Sequence, residues 1–191
     1  PLAVLKGYQE MLIDYFPDGT IDRENAVEML QEGMKQIRRM DVFIESMQKM
    51  NSLEHRILKA DQISSQQLEK DIQRELDILG KEKSICLSVE ETDEIFCGDH
   101  EVIMEVMENL LSNALRYAKE QIYVKVSVTS QKLTLSVQDD GSGFQEGTEK
   151  VTQAFHQKDM KDSLTHTGMG MYISRLYCEK HGGHLILENE E

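Results

Sequence analysis

This chain of 191 residues has little of what interrupts or cross-links a fold: two Pro, twelve Gly, three Cys and no Trp. So little Pro and Gly excludes a collagen-like repeat and a Pro-rich disordered chain. No run approaches the roughly 18 to 20 apolar residues of a bilayer span, and the start does not read as a signal peptide. Cations are short as well, with 21 Lys and Arg against 35 Asp and Glu and a formal charge of −14. That deficit argues against a general DNA or RNA binder, which needs a basic face. Cys86, Cys97 and Cys178 are odd in number and follow no metal-ligand spacing. They are expected to be reduced, mostly buried thiols of a cytosolic protein. His181 and His184 flank Gly182-Gly183, which reads as a loop and not as a metal site.

The residues that are present suit a globular protein: 39% hydrophobic and 29% charged. The length permits one domain or two small ones. Residues 1–60 hold 8 basic and 10 acidic side chains, a balance of −2, and residues 61–191 hold 13 and 25, a balance of −12. The asymmetry is a first sign of two modules.

Leu2, Leu5, Leu12 and Phe16 recur at helical spacing until Pro17-Asp18-Gly19-Thr20 breaks the helix. Asp22 can cap the next helix. From Arg23 to Arg56 the pattern predicts a rod of roughly 50 Å, with Val27, Leu30, Met34 and Ile37 in a seam that shifts through Met40, Ile44, Met47 and Met50. A helix half that length cannot cover the stripe, so the first helix reads as cut or a second chain supplies surface. The Met residues of the stripe read as core packing. Lys59 to Ser65 reads as a linker and Gln67–Leu79 as an amphipathic helix. Strands are expected at Ser84–Glu90, Glu94–Cys97, Ile122–Val128, Leu133–Val137 and His184–Glu188, with helices at 100–118 and 169–181. These elements predict a mixed sheet with helices on one face.

Three clusters carry possible chemistry. Asn109 and Asn113 lie four apart on one helix, so their carboxamides share a face. They are either buried amides bonded to neighbouring loops or neutral oxygen ligands for Mg²⁺. Val137-Gln138-Asp139-Asp140-Gly141-Ser142-Gly143-Phe144 ends an apolar strand. It is either a hairpin turn or a carboxylate beside glycines that let backbone approach a ligand. His166-Thr167-Gly168-Met169-Gly170-Met171 opens a helix, and free amides at a helix start suit phosphate. A bare Gly-x-Gly arises by chance about once in such a chain.

Order and spacing add what no cluster carries alone. An Asn pair, then Asp-x-Gly-x-Gly, then Gly-x-Gly at a helix start after an irregular stretch of about 25 residues resembles the ATP-binding domain of sensor histidine kinases. That domain belongs to the wider gyrase, Hsp90, histidine kinase and MutL group, and the clusters match its N, G1 and G2 boxes. The resemblance implies an α+β fold. Residues 1–60 would be a partial dimerisation and histidine-phosphotransfer helical hairpin, half of a dimeric four-helix bundle. Residues 64–191 would be the catalytic domain, a two-layer α/β sandwich.

By the same resemblance the cofactors are ATP and Mg²⁺. Asn113 would bind Mg²⁺, with Asn109 one turn before it near the phosphates. Arg116 would reach the phosphates and Tyr117 would lie against the adenine. Asp139 would accept from the adenine amino group, with Gly141 and Gly143 shaping that wall. Gly168 and Gly170 would present amides to the phosphates, with Thr167, Met169 and Met171 around them. The segment from Gly143 to Thr167 would be an ATP lid, with Lys158 as its cation. The ATP-hydrolysing members carry a water-activating Glu at the place of Asn109, which cannot take a proton at neutral pH. ATP would then wait for another nucleophile, a histidine imidazole, and the phosphoryl group would pass to an Asp of a response regulator.

The sequence departs from the family at His166, where the G2 box usually opens with Gly, and at Thr152, where the lid usually has Phe and only Phe155 remains. The acceptor His is expected upstream of Pro1, and one more strand after Glu188. The chain thus reads as the cytoplasmic portion of a longer, membrane-anchored sensor, dimeric through its hairpin. A related ATPase, a serine kinase of the anti-sigma type and a non-enzymatic module that binds a response regulator are the alternatives. With −12 in the module that must hold a polyanion, binding would depend strongly on Mg²⁺.

Overall fold

The structure is a computed structural model and describes residues 2–79, 83–144 and 169–189. Among the described residues the chain divides into two compact units, 2–54 with 169–170 and 55–144 with 171–189.

The first unit holds helices α1 (Leu2–Tyr15) and α2 (Arg23–His55). Pro17 stands two residues after the end of α1, and Gly19 takes the left-handed turn at φ +79°. The Asp18 carboxylate accepts from the Thr20 N–H at 2.9 Å and so closes the turn. Asp22 caps α2 as expected, accepting from the Asn25 N–H at 2.8 Å. A Cβ on Gly33 would lie 3.2 Å from Leu5 Cδ1, so a glycine admits α1 close to α2. No residue of α1 is buried. Val27, Leu30, Met34 and Ile44 of the expected seam are exposed, so the unit leaves much of its stripe uncovered.

The second unit is a layered α/β arrangement. Its elements are β1 (Asp61–Ser64), α3 (Ser65–Leu79), β2 (Ser84–Val89), β3 (Ile95–Gly98), α4 (His100–Tyr117), β4 (Gln121–Val128), β5 (Leu133–Asp139) and α5 (Gly170–Lys180). The main sheet has the order β2-β4-β5, with β2 parallel and β5 antiparallel to β4. Alternation in β4 explains its two faces: Ile122, Val124, Val126 and Val128 are buried while Gln121, Tyr123 and Lys125 are exposed. Against the buried face lie Leu68, Ile72 and Leu76 of α3 and Ile103, Met107, Leu111 and Ala114 of α4. Each Leu, Ile and Met side chain so removed from water contributes about 1.5–3 kcal/mol. This is the mixed sheet with helices on one face that the pattern predicts.

Several expectations need correction. Asp61–Ser64 is not linker but strand β1, antiparallel to β3. Helix α3 starts at Ser65, two residues early, because Ser64 Oγ accepts from the Gln67 N–H at 3.2 Å and caps it. His184–Glu188 forms no strand. Its alternating apolar side chains have no paired neighbour among the described residues, and the segment ends by bonding Asn189 to Phe144. The cysteines are not mostly buried: Cys86 and Cys97 are exposed on β2 and β3, and only Cys178 is half-buried. No described helix is long and apolar enough to cross a membrane.

Candidate functional site

Helix α4 carries the first cluster. Its start is fixed by Asp99, whose side chain is 0% exposed and accepts from the Val102 N–H at 3.3 Å. The same carboxylate accepts from the Arg56 guanidinium at 2.9–3.1 Å and from the Lys59 N–H at 3.1 Å. Burial alone would raise the Asp99 pKa. The N–H groups of Lys59 and Val102 and the Arg56 guanidinium outweigh it and hold the carboxyl below its usual range. Toward the other end of α4, Asn109 and Asn113 are both half-buried. The Arg116 guanidinium lies 5.3 Å from the centre of the Tyr117 ring, a cation–π contact. That ring is half exposed.

The second cluster is seated on the end of the first. Asp139 is the last residue of β5, opposite Ile122, and its side chain is exposed. Its Oδ1 accepts from the Gly141 N–H at 2.8 Å. A Cβ at position 141 would overlap the Tyr117 carbonyl oxygen and Asp139 Oδ1, and would come within 3.0 Å of the Tyr117 carbonyl carbon. Only glycine lets the chain pass so close to the exit of α4. Asp140 has a different task. It accepts from the Lys119 N–H at 2.7 Å and the Glu120 N–H at 3.1 Å, tying the α4–β4 connection to the end of β5. Gly143 has φ +65° and Phe144 is held by paired bonds to the Asn189 carboxamide, both 2.8 Å. The Asp-Gly dipeptide therefore does not turn one paired strand into another among the described residues, and the hairpin reading is set aside.

Helix α5 carries what is described of the third cluster. Met169 and Met171 are buried at its start, and Gly170 is its first residue. Lys158, Thr167 and Gly168, with the segment proposed as a lid, lie outside the described residues.

Three side-chain bridges join α4 and its cap to α5 and its exit. The Asn109 Nδ2 group donates to Ser174 Oγ at 3.2 Å, and Ser174 is 0% exposed. The buried Tyr177 hydroxyl donates to Glu105 Oε2 at 2.8 Å. Burial, then the Glu105 carboxylate, push the Tyr177 phenol well above its ordinary pKa. The Asp99 N–H donates to His181 Nε2 at 3.2 Å, while His181 Nδ1 lies 2.9 Å from the Tyr177 carbonyl oxygen. An accepting Nε2 carries no proton, so the proton is on Nδ1 and donates to that carbonyl. Asn109 is thus a half-buried amide bonded to a helix side chain, not to a neighbouring loop.

Sequence reasoning misses Arg56, Asp99, Asp140, Ser174 and His181. Asp99 has a local signal, as an Asp just before an apolar-periodic helix. Its partners lie 43 and 82 residues away and leave no local trace. Among the described residues no group of three or more His, Cys, Asp or Glu side chains could hold a metal ion.

Set beside known proteins, residues 98–191 match the family model described as histidine kinase-, DNA gyrase B-, and HSP90-like ATPase. Sensor histidine kinase CssS of Bacillus subtilis is 24% identical over 193 residues, covering 100% of this chain and 41% of that protein. Heme sensor protein HssS of Staphylococcus epidermidis is 25% identical over 133 residues, covering 69% and 29%. Sensor histidine kinase HprS of Escherichia coli is 28% identical over 130 residues, covering 66% and 28%. The chain therefore spans less than half the length of these relatives. Among solved structures, the Acinetobacter baumannii histidine kinase AdeS aligns with a TM-score of 0.64 at 16% identity, covering 94% of this chain and 83% of that one. Full-length ShkA in complex with AMPPNP aligns at 0.63 and 15%, covering 84% and 34%. At such identities the likeness speaks for the fold.

Proposed function

From the premise that this chain is of the sensor histidine kinase type, with residues 98–191 in its histidine kinase-, DNA gyrase B- and HSP90-like ATPase domain, we propose that it binds Mg²⁺-ATP between α4, the end of β5 and the start of α5. The γ-phosphoryl group passes to a histidine imidazole that is not among the six histidines of this chain, and from there to an Asp of a response regulator. The observation that carries the reading is the seat of Gly141 on Tyr117, which joins the N-box helix to the carboxylate of Asp139.

The residues present fit the group. Asp139 offers an exposed carboxylate, oriented by the Gly141 N–H, as acceptor for an amino group on a purine ring. The Tyr117 ring is half exposed and available to an aromatic base. Asn113 offers a neutral oxygen, and Mg²⁺ at such a place takes its other ligands from water and phosphate. When bound, the ion neutralises phosphate charge. Arg116 adds a local cation in a module that is otherwise strongly acidic. Gly168 and Gly170 of the G2 segment, with Thr167 nearby and Lys158 as the lid cation, are proposed to hold the phosphates. At position 109 there is an amide whose N–H is given to Ser174, so no side-chain base stands there to activate water. ATP is then kept for the histidine. Residues 1–60 are proposed as a hairpin that dimerises through its exposed apolar stripe, in the cytoplasmic part of a membrane-anchored sensor.

Isothermal titration of the 191-residue protein with Mg²⁺-AMPPNP tests the site. Binding is expected with Mg²⁺, and Asn113→Ala or Asp139→Asn should weaken it by about tenfold or more, the loss of one charge-assisted contact. A folded protein that binds no nucleotide, or variants that bind as well as the parent, would overturn the assignment.

A further inference from the structure

The bridges between α4 and α5 form an ordered ladder. On the α4 side they stand at Asp99, Glu105 and Asn109, and on the α5 side at His181, Tyr177 and Ser174. Numbers rise on one helix as they fall on the other, so the helices run antiparallel. From the second bridge to the third the step is four residues on α4 and three on α5, one helical turn on each. One more step brings Asn113 opposite Met171, in the first turn of α5. No side-chain bond is needed there if a ligand serves as the next rung.

We propose that Asp99 and His181 are positioning residues for the nucleotide site, fixing the register of α4 against α5 so that Asn113 and the first turn of α5 face the same ligand. This rests on the nucleotide-binding reading. The pair sits 14 residues before Asn113, about 21 Å along the helix, and touches no part of the ligand. It acts as a rigid end-stop. Asp99 is clamped by five partners: its carboxylate accepts from Arg56, Lys59 and Val102, its carbonyl from the Ile103 N–H at 3.0 Å, and its N–H goes to His181. The imidazole carries that fixed point across to the last turn of α5 through the Tyr177 carbonyl. One ring nitrogen must accept and the other must donate, so the neutral Nδ1–H tautomer is the only form that makes both bonds.

The test uses the 191-residue protein and four variants. His181→Leu removes both bonds. His181→Asn keeps a donor near the Tyr177 carbonyl and loses the acceptor for Asp99. His181→Gln keeps an acceptor near the place of Nε2. Val126→Ala damages the buried face of β4 without touching a rung. Mg²⁺-AMPPNP affinity is expected to fall by about tenfold in the Leu and Asn variants, as for coupled sites, and to return to within about threefold of the parent in the Gln variant. Val126→Ala should leave affinity within about twofold despite its loss of stability. Unchanged affinity in a folded Leu or Asn variant, or an equal loss in Val126→Ala, overturns the proposal. A separate readout is taken without nucleotide. Nitrogen-15 NMR should show the His181 Nδ1–H tautomer in the parent. The Asn113 side-chain amide signals should shift in His181→Asn and recover in His181→Gln. If those signals do not move, the positioning role is wrong even where nucleotide binds. If they move and the parent binds no nucleotide, the ladder stands and the nucleotide reading fails.

Discussion

Replacing Gly141 by Ala should do more damage than replacing Gly182, and the reason is local and measurable. The added Cβ would overlap the Tyr117 carbonyl oxygen and Asp139 Oδ1 and would stand 3.0 Å from the Tyr117 carbonyl carbon, where carbon pairs prefer about 3.5–4.0 Å. Neither side yields cheaply. Tyr117 ends α4, and the next residue, Ala118, donates to the Ala114 carbonyl at 2.8 Å. Lys119 and Glu120 are pinned by the Asp140 carboxylate. Forced overpacking of this kind costs about 1–3 kcal/mol, and moving the Asp139 carboxylate off the Gly141 N–H adds about 1 kcal/mol. The sum is about 2–4 kcal/mol. Gly182→Ala is the control. Gly182 has φ +77° with nothing within 4 Å of its Cβ position, so only left-handed strain applies, about 1–2 kcal/mol. Urea unfolding followed on the backbone amides of β4 and β5 would report the stability of this unit directly. If Gly141→Ala costs no more than Gly182→Ala, the close seat of the β5 exit on α4 is wrong, and with it the joining of the two clusters.

Two further outcomes rest on the titratable groups. The Asp99 pKa is lowered in the folded protein, so the group adds stability above its unfolded value near 3.9 and loses it as pH falls through the lower folded value. Stability should therefore fall below about pH 4 in the parent, with a smaller acid dependence in Asp99→Asn, and identical pH profiles for the two would refute this. Cys86 and Cys97 are exposed, whereas burial, then the Glu179 carboxylate, push the Cys178 thiol up. A disulfide reagent such as DTNB should thus titrate two thiols quickly and the third slowly at neutral pH, and three equal rates would contradict the burial of Cys178.

The sequence is legible where side chains repeat at the period of their own element. Helix α4 shows its apolar face at Val102, Ile103, Val106, Met107 and Leu111, and β4 alternates without a lapse. Strand β1 reads as linker because Asp61-Gln62-Ile63-Ser64 has one apolar residue, and its pairing with β3 is non-local. His184–Glu188 has the alternation of a strand and lacks a paired neighbour among the described residues, so pattern without a partner misleads. At the site, the residue types and order of the three clusters are readable. The Asp99 clamp is not, because a buried hydrogen-bond network is assembled by tertiary folding from Arg56, Asp99 and His181. The physical cause of the glycine at 141 also becomes clear only with the Tyr117 carbonyl beside it.

The mixed order of the main sheet sets a sequence of events in time. Only four residues join β4 to β5, while β2 reaches its parallel partner β4 across β3 and the whole of α4. Closing the short loop costs less chain entropy than closing the long one, so local pairing comes early and the crossover late. The carboxylate of Asp139 and the end of α4 then meet before the sheet is complete. Folding-rate effects of mutation should accordingly be larger at Val126 and Leu135, which pair across the hairpin, than at Leu87 in β2. Equal effects at the three positions would mean that the strands assemble together.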